Sequence, residues 1–217
     1  MIYRVVFSLW IVAYASICFA QEENEHIKFK NEGNEALRSQ NYKTAFESYE
    51  AAIAIWPSEE APDAAMIYNT ADCARRLNEH EKALNYYIQS EELNYRPDRA
   101  AFYIASSLKS LDREEDMERT LLKSIDAYKT SSILAQMTKM LVTYYLKQGA
   151  ERYNRASQIL ASASNANPSQ YNEITQRANE AFAESKPWFE KALEYDAENE
   201  NALSSLKEIN NRLNEKK

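Results

Sequence analysis

Glycine is almost missing from this chain: Gly33 and Gly149 are the only two among 217 residues. β-Hairpins and α/β crossovers draw on glycine for backbone at positive φ. An all-β or α/β architecture of this length is therefore excluded on turn chemistry. Two isolated glycines also cannot form a phosphate-cradling loop. Cysteine is down to Cys18 and Cys73, and histidine to His26 and His80. None of these stands at the short spacing that a zinc site needs. Cys73, among Ala71, Ala74 and Leu77, reads as a small core residue, and His80 as a packing aromatic. No Ser, His and acid arrangement stands out, and the pairs Glu59-Glu60, Glu91-Glu92 and Glu114-Glu115 are adjacent, so they point different ways on a helix. The run from Asp196 to Glu200 lacks the glycine and alternating ligands of a calcium loop and reads as an acid cluster at a helix start. No catalytic residue, metal or cofactor is expected, and the chain is read as a non-enzyme.

A cationic surplus is also lacking. The formal net charge is −7, which disfavours nucleic acid and docking on anionic lipid. The acids are spread along the whole chain, as solubility requires, and the net charge suggests a neutral or basic partner. Long apolar runs are absent except for one, Val5 to Phe19. With Arg4 before it and the small residue Ala20 after it, residues 1–20 read as a secretory signal peptide cleaved after Ala20. Two alternatives stay open: an uncleaved anchor, although the run is short for a span, and a lipoprotein, although Ile17 stands before Cys18 where a small residue is wanted. Removal of residues 1–20 takes Arg4 and no acid, leaving 25 cations against 33 carboxylates, a charge of −8. Only Cys73 then remains, so no internal disulfide can form and the exported chain must hold itself by packing.

What the chain has in abundance is helix formers (Ala, Leu, Glu, Lys, Gln and Arg) and a pattern that recurs. Phe29, Gly33, Ala36, Tyr42, Ala45, Tyr49, Ala52 and Pro57 are echoed by Ile67, Ala71, Ala74, His80, Ala83, Tyr87 and Ser90, with Pro97 slightly late. The spacing predicts helix pairs over 23–40 and 42–56, 62–78 and 80–94, 98–111 and 113–129, and 131–148 and 151–165, with Gly149 marking the last of these turns. A fifth, compressed pair is expected over 169–184 and 188–195, with Ser185 as cap and Pro187 as helix start. A final helix over 199–215, apolar at Leu203, Leu206, Ile209 and Leu213, has the two-sided character of a terminal cap. The small residue opening each second helix recurs at Ala45, Ala83, Met117 and Ala156, at intervals of 38, 34 and 39 positions. The excess falls in turns, which leaves stacking intact.

These repeats resemble the tetratricopeptide repeat (TPR) family over most of 26–217. The closest segments are EGNEALRSQNYKTAFESYEAAIAIWP and TADCARRLNEHEKALNYYIQSEEL, and KPWFEKALEYDAEN resembles a second helix with Ala197 where the family usually has Pro. The export signal followed by QEE also resembles envelope TPR proteins of Bacteroidetes-type bacteria. The resemblance implies an all-α fold: a right-handed α-solenoid of about five antiparallel helix pairs with a capping helix, occupying 21–217. It further implies a scaffold that binds a peptide or partner-protein segment in a groove lined by the first helix of each pair. One subfamily grips a terminal carboxylate with Lys and Asn on the first repeat, Asn on the second, and Lys and Arg on the third. Lys30, Asn34 and Asn69 stand at the first three of these positions; Arg99 replaces the Lys and Tyr103 the Arg, which removes one donor fork. The alternative reading is a structural subunit of an envelope assembly, using terminal or convex surfaces. Either way the expected place is the periplasm or the exterior.

Overall fold

The computed structural model describes residues 25–214, and these are all-α; the expected signal peptide, 1–20, lies outside them. No helix among the described residues is long and apolar enough to cross a membrane. The chain divides into two compact units, one up to Thr120 and one from Leu121.

The first unit contains α1 (25–38), α2 (Tyr42–Ala54), α3 (Ala64–Arg76), α4 (His80–Glu92), α5 (Pro97–Ser110) and the start of α6 (Glu114–Ala127). Consecutive helices pack on one another, α2 on α3, α3 on α4 and α4 on α5. The seam is the stripe read from the sequence: Ala45, Tyr49 and Ala52 on α2, and Ala83, Tyr87 and Ser90 on α4, are all fully buried. Small residues on each side of a tyrosine let neighbouring backbones approach while the ring fills the space between. Gly33 completes this on α1, since a Cβ there would lie 2.5 Å from Cδ1 of Tyr49. Cys73 is buried in the same core, and burial pushes its thiol up to about 11.

The turns show how the chain ends helices without glycine. Gln40, Asn78, Asn94 and Asp112 all take left-handed backbone, with φ of 58°, 61°, 53° and 56°. In each case the next residue donates its N–H five positions back: Asn41 to Ala36, Glu79 to Ala74, Tyr95 to Ser90 and Arg113 to Leu108, at 2.9–3.0 Å. The left-handed residue itself donates three back, to Leu37, Arg75, Glu91 and Lys109. This is the Schellman closure of a helix C-terminus, usually built on glycine; asparagine and aspartate tolerate it because their short polar side chains reach the local backbone.

The second unit contains α7 (Leu134–Ala161), a short 3-10 turn (Ser162–Asn165), α8 (Pro168–Tyr195) and α9 (Glu200–Asn214). Here two expected breaks are absent. The turn expected at Gly149 is the interior of α7, and the break expected at Ser185–Pro187 is the interior of α8. The residues of two expected pairs therefore form one hairpin of two 28-residue helices. Gly149 marks a close approach instead, because a Cβ there would meet the Phe189 ring at 2.9 Å. Pro187 withholds an N–H from the carbonyl four residues back, and one residue earlier the Phe182 carbonyl accepts from the Ser185 hydroxyl at 2.6 Å. The true start of α8 is set by Asn167, whose side chain accepts from the Gln170 N–H while the Gln170 side chain accepts from the Asn167 N–H. On α9 the buried residues are Ala202 and Ile209; Leu203, expected on the apolar face, is 47% exposed. Tyr153 of α7 hydrogen-bonds Glu208 and Arg212 of α9, and the Arg212 guanidinium lies 5.0 Å from the Phe182 ring, so α9 is held to the hairpin at its polar edge as well.

Candidate partner-binding face

The five residues singled out in the sequence lie on first helices of the first unit: Lys30 and Asn34 on α1, Asn69 on α3, Arg99 and Tyr103 on α5. They gather in two groups. Lys30 Nζ is 2.9 Å from Asp63 Oδ2, and Asp63 Oδ1 accepts from the Met66 N–H at 2.9 Å, capping α3. Burial pushes the Asp63 carboxyl up, but the Met66 N–H and Lys30 outweigh it and hold the group below the usual carboxylate range. One turn along α1, Asn34 Oδ1 accepts from the Tyr49 hydroxyl at 2.8 Å, and the Asn69 side chain hydrogen-bonds the same phenol. Burial pushes the Tyr49 phenol up to about 12. Lys30 and the two amides thus tie α1, α2 and α3 together, with their primary polar contacts made inside the protein. Asn34 also borders an open depression of about 560 Å³ along α1, with Asn31, Glu35 and Arg38.

The second group surrounds Tyr103. Its ring stacks on Tyr87, centroids 5.1 Å apart and planes 21° from parallel. The Arg75 guanidinium lies 4.7 Å from the Tyr103 ring. Tyr68 meets Tyr87 edge-on at 5.5 Å and Tyr95 at 5.8 Å. The donor fork lost by having Tyr at 103 is therefore matched by Arg75 next to it, but Arg75 is bonded to Asp72, which also accepts from Arg76 Nε at 2.8 Å. Burial pushes the Asp72 carboxyl up; the two arginines more than reverse this and hold it below its ordinary range. The buried Tyr87 hydroxyl joins the network at 3.4 Å from Asp72 Oδ1 and from Arg75 Nε. Arg99 is exposed, near enough to Tyr68 to act on its phenol.

Sequence reasoning missed Asp72, Arg75 and Arg96. The signal for the first two was available as acid and base three apart on a helix, the spacing that brings side chains together. Arg96 gave none, because it stands in a turn whose backbone only the structure reveals. In the second unit, a trough of about 330 Å³ between α7, α8 and α9 is lined by Leu146, Tyr153, Asn154, Phe189, Asn201 and Ser204, among others, and holds no charged side chain. Among the described residues no group of three or more His, Cys, Asp or Glu is placed to hold a metal.

No protein-family model matches the chain, and no curated protein does. Among solved structures it is similar to a TPR repeats protein from Bacteroides fragilis, with a TM-score of 0.54 and 19% identity over 86% of this chain and 98% of that one. It is also similar to a protein from Bacteroides ovatus described as a candidate protein-binding protein, with a TM-score of 0.50 and 13% identity over 88% of this chain and 98% of that one. The fold is that of TPR repeat proteins.

Proposed function

We propose that this protein is a non-enzymatic adaptor, exported to the periplasm or beyond, that holds a segment of a partner protein against the first helices of its first unit. The observation that carries the reading is the unequal division of the aromatic residues. Tyr49 and Tyr87 are fully buried and close the seams between helices, whereas Tyr103 on α5 is half-buried and Tyr68 on α3, 6% exposed, borders the same face, with arginine guanidinium groups lying over or beside both rings. Tyrosine and arginine are the residues that dominate protein-binding surfaces, because each covers much apolar area and still donates hydrogen bonds. Asn69, Arg99 and Tyr103 are then the first contacts, with Lys30 and Asn34 shaping the surface from behind. The solved proteins of the same fold, one of them described by protein binding, support the same reading.

A photo-crosslinking phenylalanine analogue placed at Arg99, compared with one at Ile88 on α4, tests this in intact cells. Ile88 is 37% exposed, so both probes reach solvent. The expected result is a discrete partner adduct from position 99 and none from 88. The same adducts from both positions, or an adduct from 88 alone, would remove the assignment. Sequencing the N-terminus of the mature protein tests the export step, with Gln21 as the expected first residue.

A further inference from the structure

The net charge of the chain points to a neutral or basic partner, but the α3–α5 face is locally cationic. Arg96 and Arg99, at the start of α5, are both exposed, and neither makes an ion pair among the described residues. The Arg96 guanidinium lies 5.5 Å from the Tyr68 ring and 5.4 Å from the Tyr95 ring. A guanidinium lying over an aromatic ring uses its face for that contact and keeps its N–H edge for a planar anion. The placement is built in. Arg96 itself adopts left-handed backbone, φ 48° and ψ 50°, which is uncommon for a non-glycine residue. The preceding Tyr95 is pinned on both polar groups by Ser90, whose hydroxyl donates to the Tyr95 carbonyl and whose carbonyl accepts the Tyr95 N–H, each at 3.0 Å.

Two nearby acids are engaged by other groups. Asp72 is already shared by Arg75 and Arg76, and Asp98 Oδ1 accepts the Arg99 backbone N–H at 2.9 Å. Acids elsewhere on the chain act weakly here, because exposed charges are screened beyond about 8 Å at physiological salt. The groups that a bound segment would meet first are therefore donors.

We propose that this face takes an acidic segment of the partner, with Arg96 and Arg99 binding its side-chain carboxylates and Tyr68, Tyr95 and Tyr103 forming the platform beneath. This inference rests on the reading of the face as the partner-binding surface.

The test is fluorescence anisotropy of the full chain with two labelled twelve-residue peptides, both amidated at the C-terminus so that no terminal carboxylate contributes. One is built of Glu, Asp, Phe and Ser; in the other, Gln and Asn replace the acids. The acidic peptide should bind at least about tenfold more tightly, with affinity falling steeply as salt rises. R96Q/R99Q should abolish that preference and R99Q alone, at an exposed helical position that leaves the fold intact, should reduce it. Lys82→Gln, which removes an α4 cation paired with Glu50 of α2, should change nothing. Equal affinity for the two peptides, no binding of the acidic one, or wild-type binding by R99Q and R96Q/R99Q would each overturn the proposal. If the neutral peptide binds and Asn69→Ala or Tyr103→Ala weakens it, the face remains the binding surface and only its charge preference is wrong. If binding of neither peptide depends on any of these residues, both readings fall.

Discussion

Replacing Gly33 with alanine should destabilise the first unit, against the usual sign of that substitution. Inside a helix, alanine is favoured over glycine by about 1 kcal/mol. At Gly33 the new methyl would lie 2.5 and 2.6 Å from two ring carbons of Tyr49. The ring cannot swing aside cheaply: Tyr49 is fully buried, and its hydroxyl is held by Asn34 and Asn69. Overpacking of a well-filled core costs typically 1–3 kcal/mol, and a pinned ring puts this site at the upper end, roughly 3 kcal/mol. The net expectation is a loss of about 2 kcal/mol after the propensity gain. Urea unfolding followed by circular dichroism reads this directly as a lower midpoint. A double-mutant cycle isolates the cause. In a Tyr49→Ala background, itself destabilised by its cavity, Gly33→Ala should become neutral or stabilising, because the methyl then enters space that the ring has left. If Gly33→Ala stabilises the wild-type chain, or costs the same in both backgrounds, the ring-over-glycine account of the α1–α2 seam is wrong.

Gln40→Gly should stabilise the first unit by about 0.5–1 kcal/mol, since Gln40 holds φ of 58° where glycine is unstrained; a lower thermal midpoint would refute it. Pro187→Ala should raise the stability of the second unit by about 1–2 kcal/mol, because it restores an N–H to the interior of α8, and loss of helicity in that variant would show that the proline shapes the helix. Alkali should unfold the first unit cooperatively. Burial raises the phenols of Tyr49 and Tyr86 to about 12, and it also pushes those of Tyr68 and Tyr87 above the ordinary phenol value. Stability from a group whose folded pKa is raised is complete below its unfolded value near 10 and is lost as pH climbs toward the folded one, so the last part of the tyrosinate absorbance should rise together with helix loss between about pH 10 and 12; ionisation of every tyrosine with the helices intact would contradict the buried hydroxyls.

The second helix of each early pair was legible because its stripe has one cause. Ala45, Tyr49 and Ala52, and likewise Ala83, Tyr87 and Ser90, recur at helical spacing since each must face the same neighbour at the same distance. The helix ends at Gln40, Asn78 and Asp112 were placed well for the same reason, as the left-handed residue falls at a fixed offset from the stripe. Gly149 and Pro187 misled because each has two uses. A glycine serves a turn or a close approach, and the Phe189 ring that decides between them is 40 residues away in sequence. A proline starts a helix or interrupts one, and the capping pair at Asn167 and Gln170 had already started α8. Local punctuation is read from neighbours in sequence, but in both places a tertiary contact or an upstream cap overrode it.

The site illustrates the same division between composition and placement. Lys30, Asn34 and Asn69 have the residue types of an anion grip, yet a lysine 2.9 Å from Asp63 and two amides at one phenol are first of all bonds between helices. Arg96 belongs to no helical stripe and was silent in the sequence. It gains meaning only from the left-handed turn that sets its guanidinium over Tyr68 and Tyr95. The proposed preference for an acidic segment departs from the net charge for a related reason: the net charge weighs every carboxylate equally, whereas an exposed acid more than a Debye length away is screened and one bonded to two arginines is spent. What a bound segment meets is decided by which charged groups still have an open side. On the α3–α5 face those are Arg96 and Arg99, so the acidic chain presents two open guanidinium groups at the place where Tyr95 and Tyr103 are only half-buried.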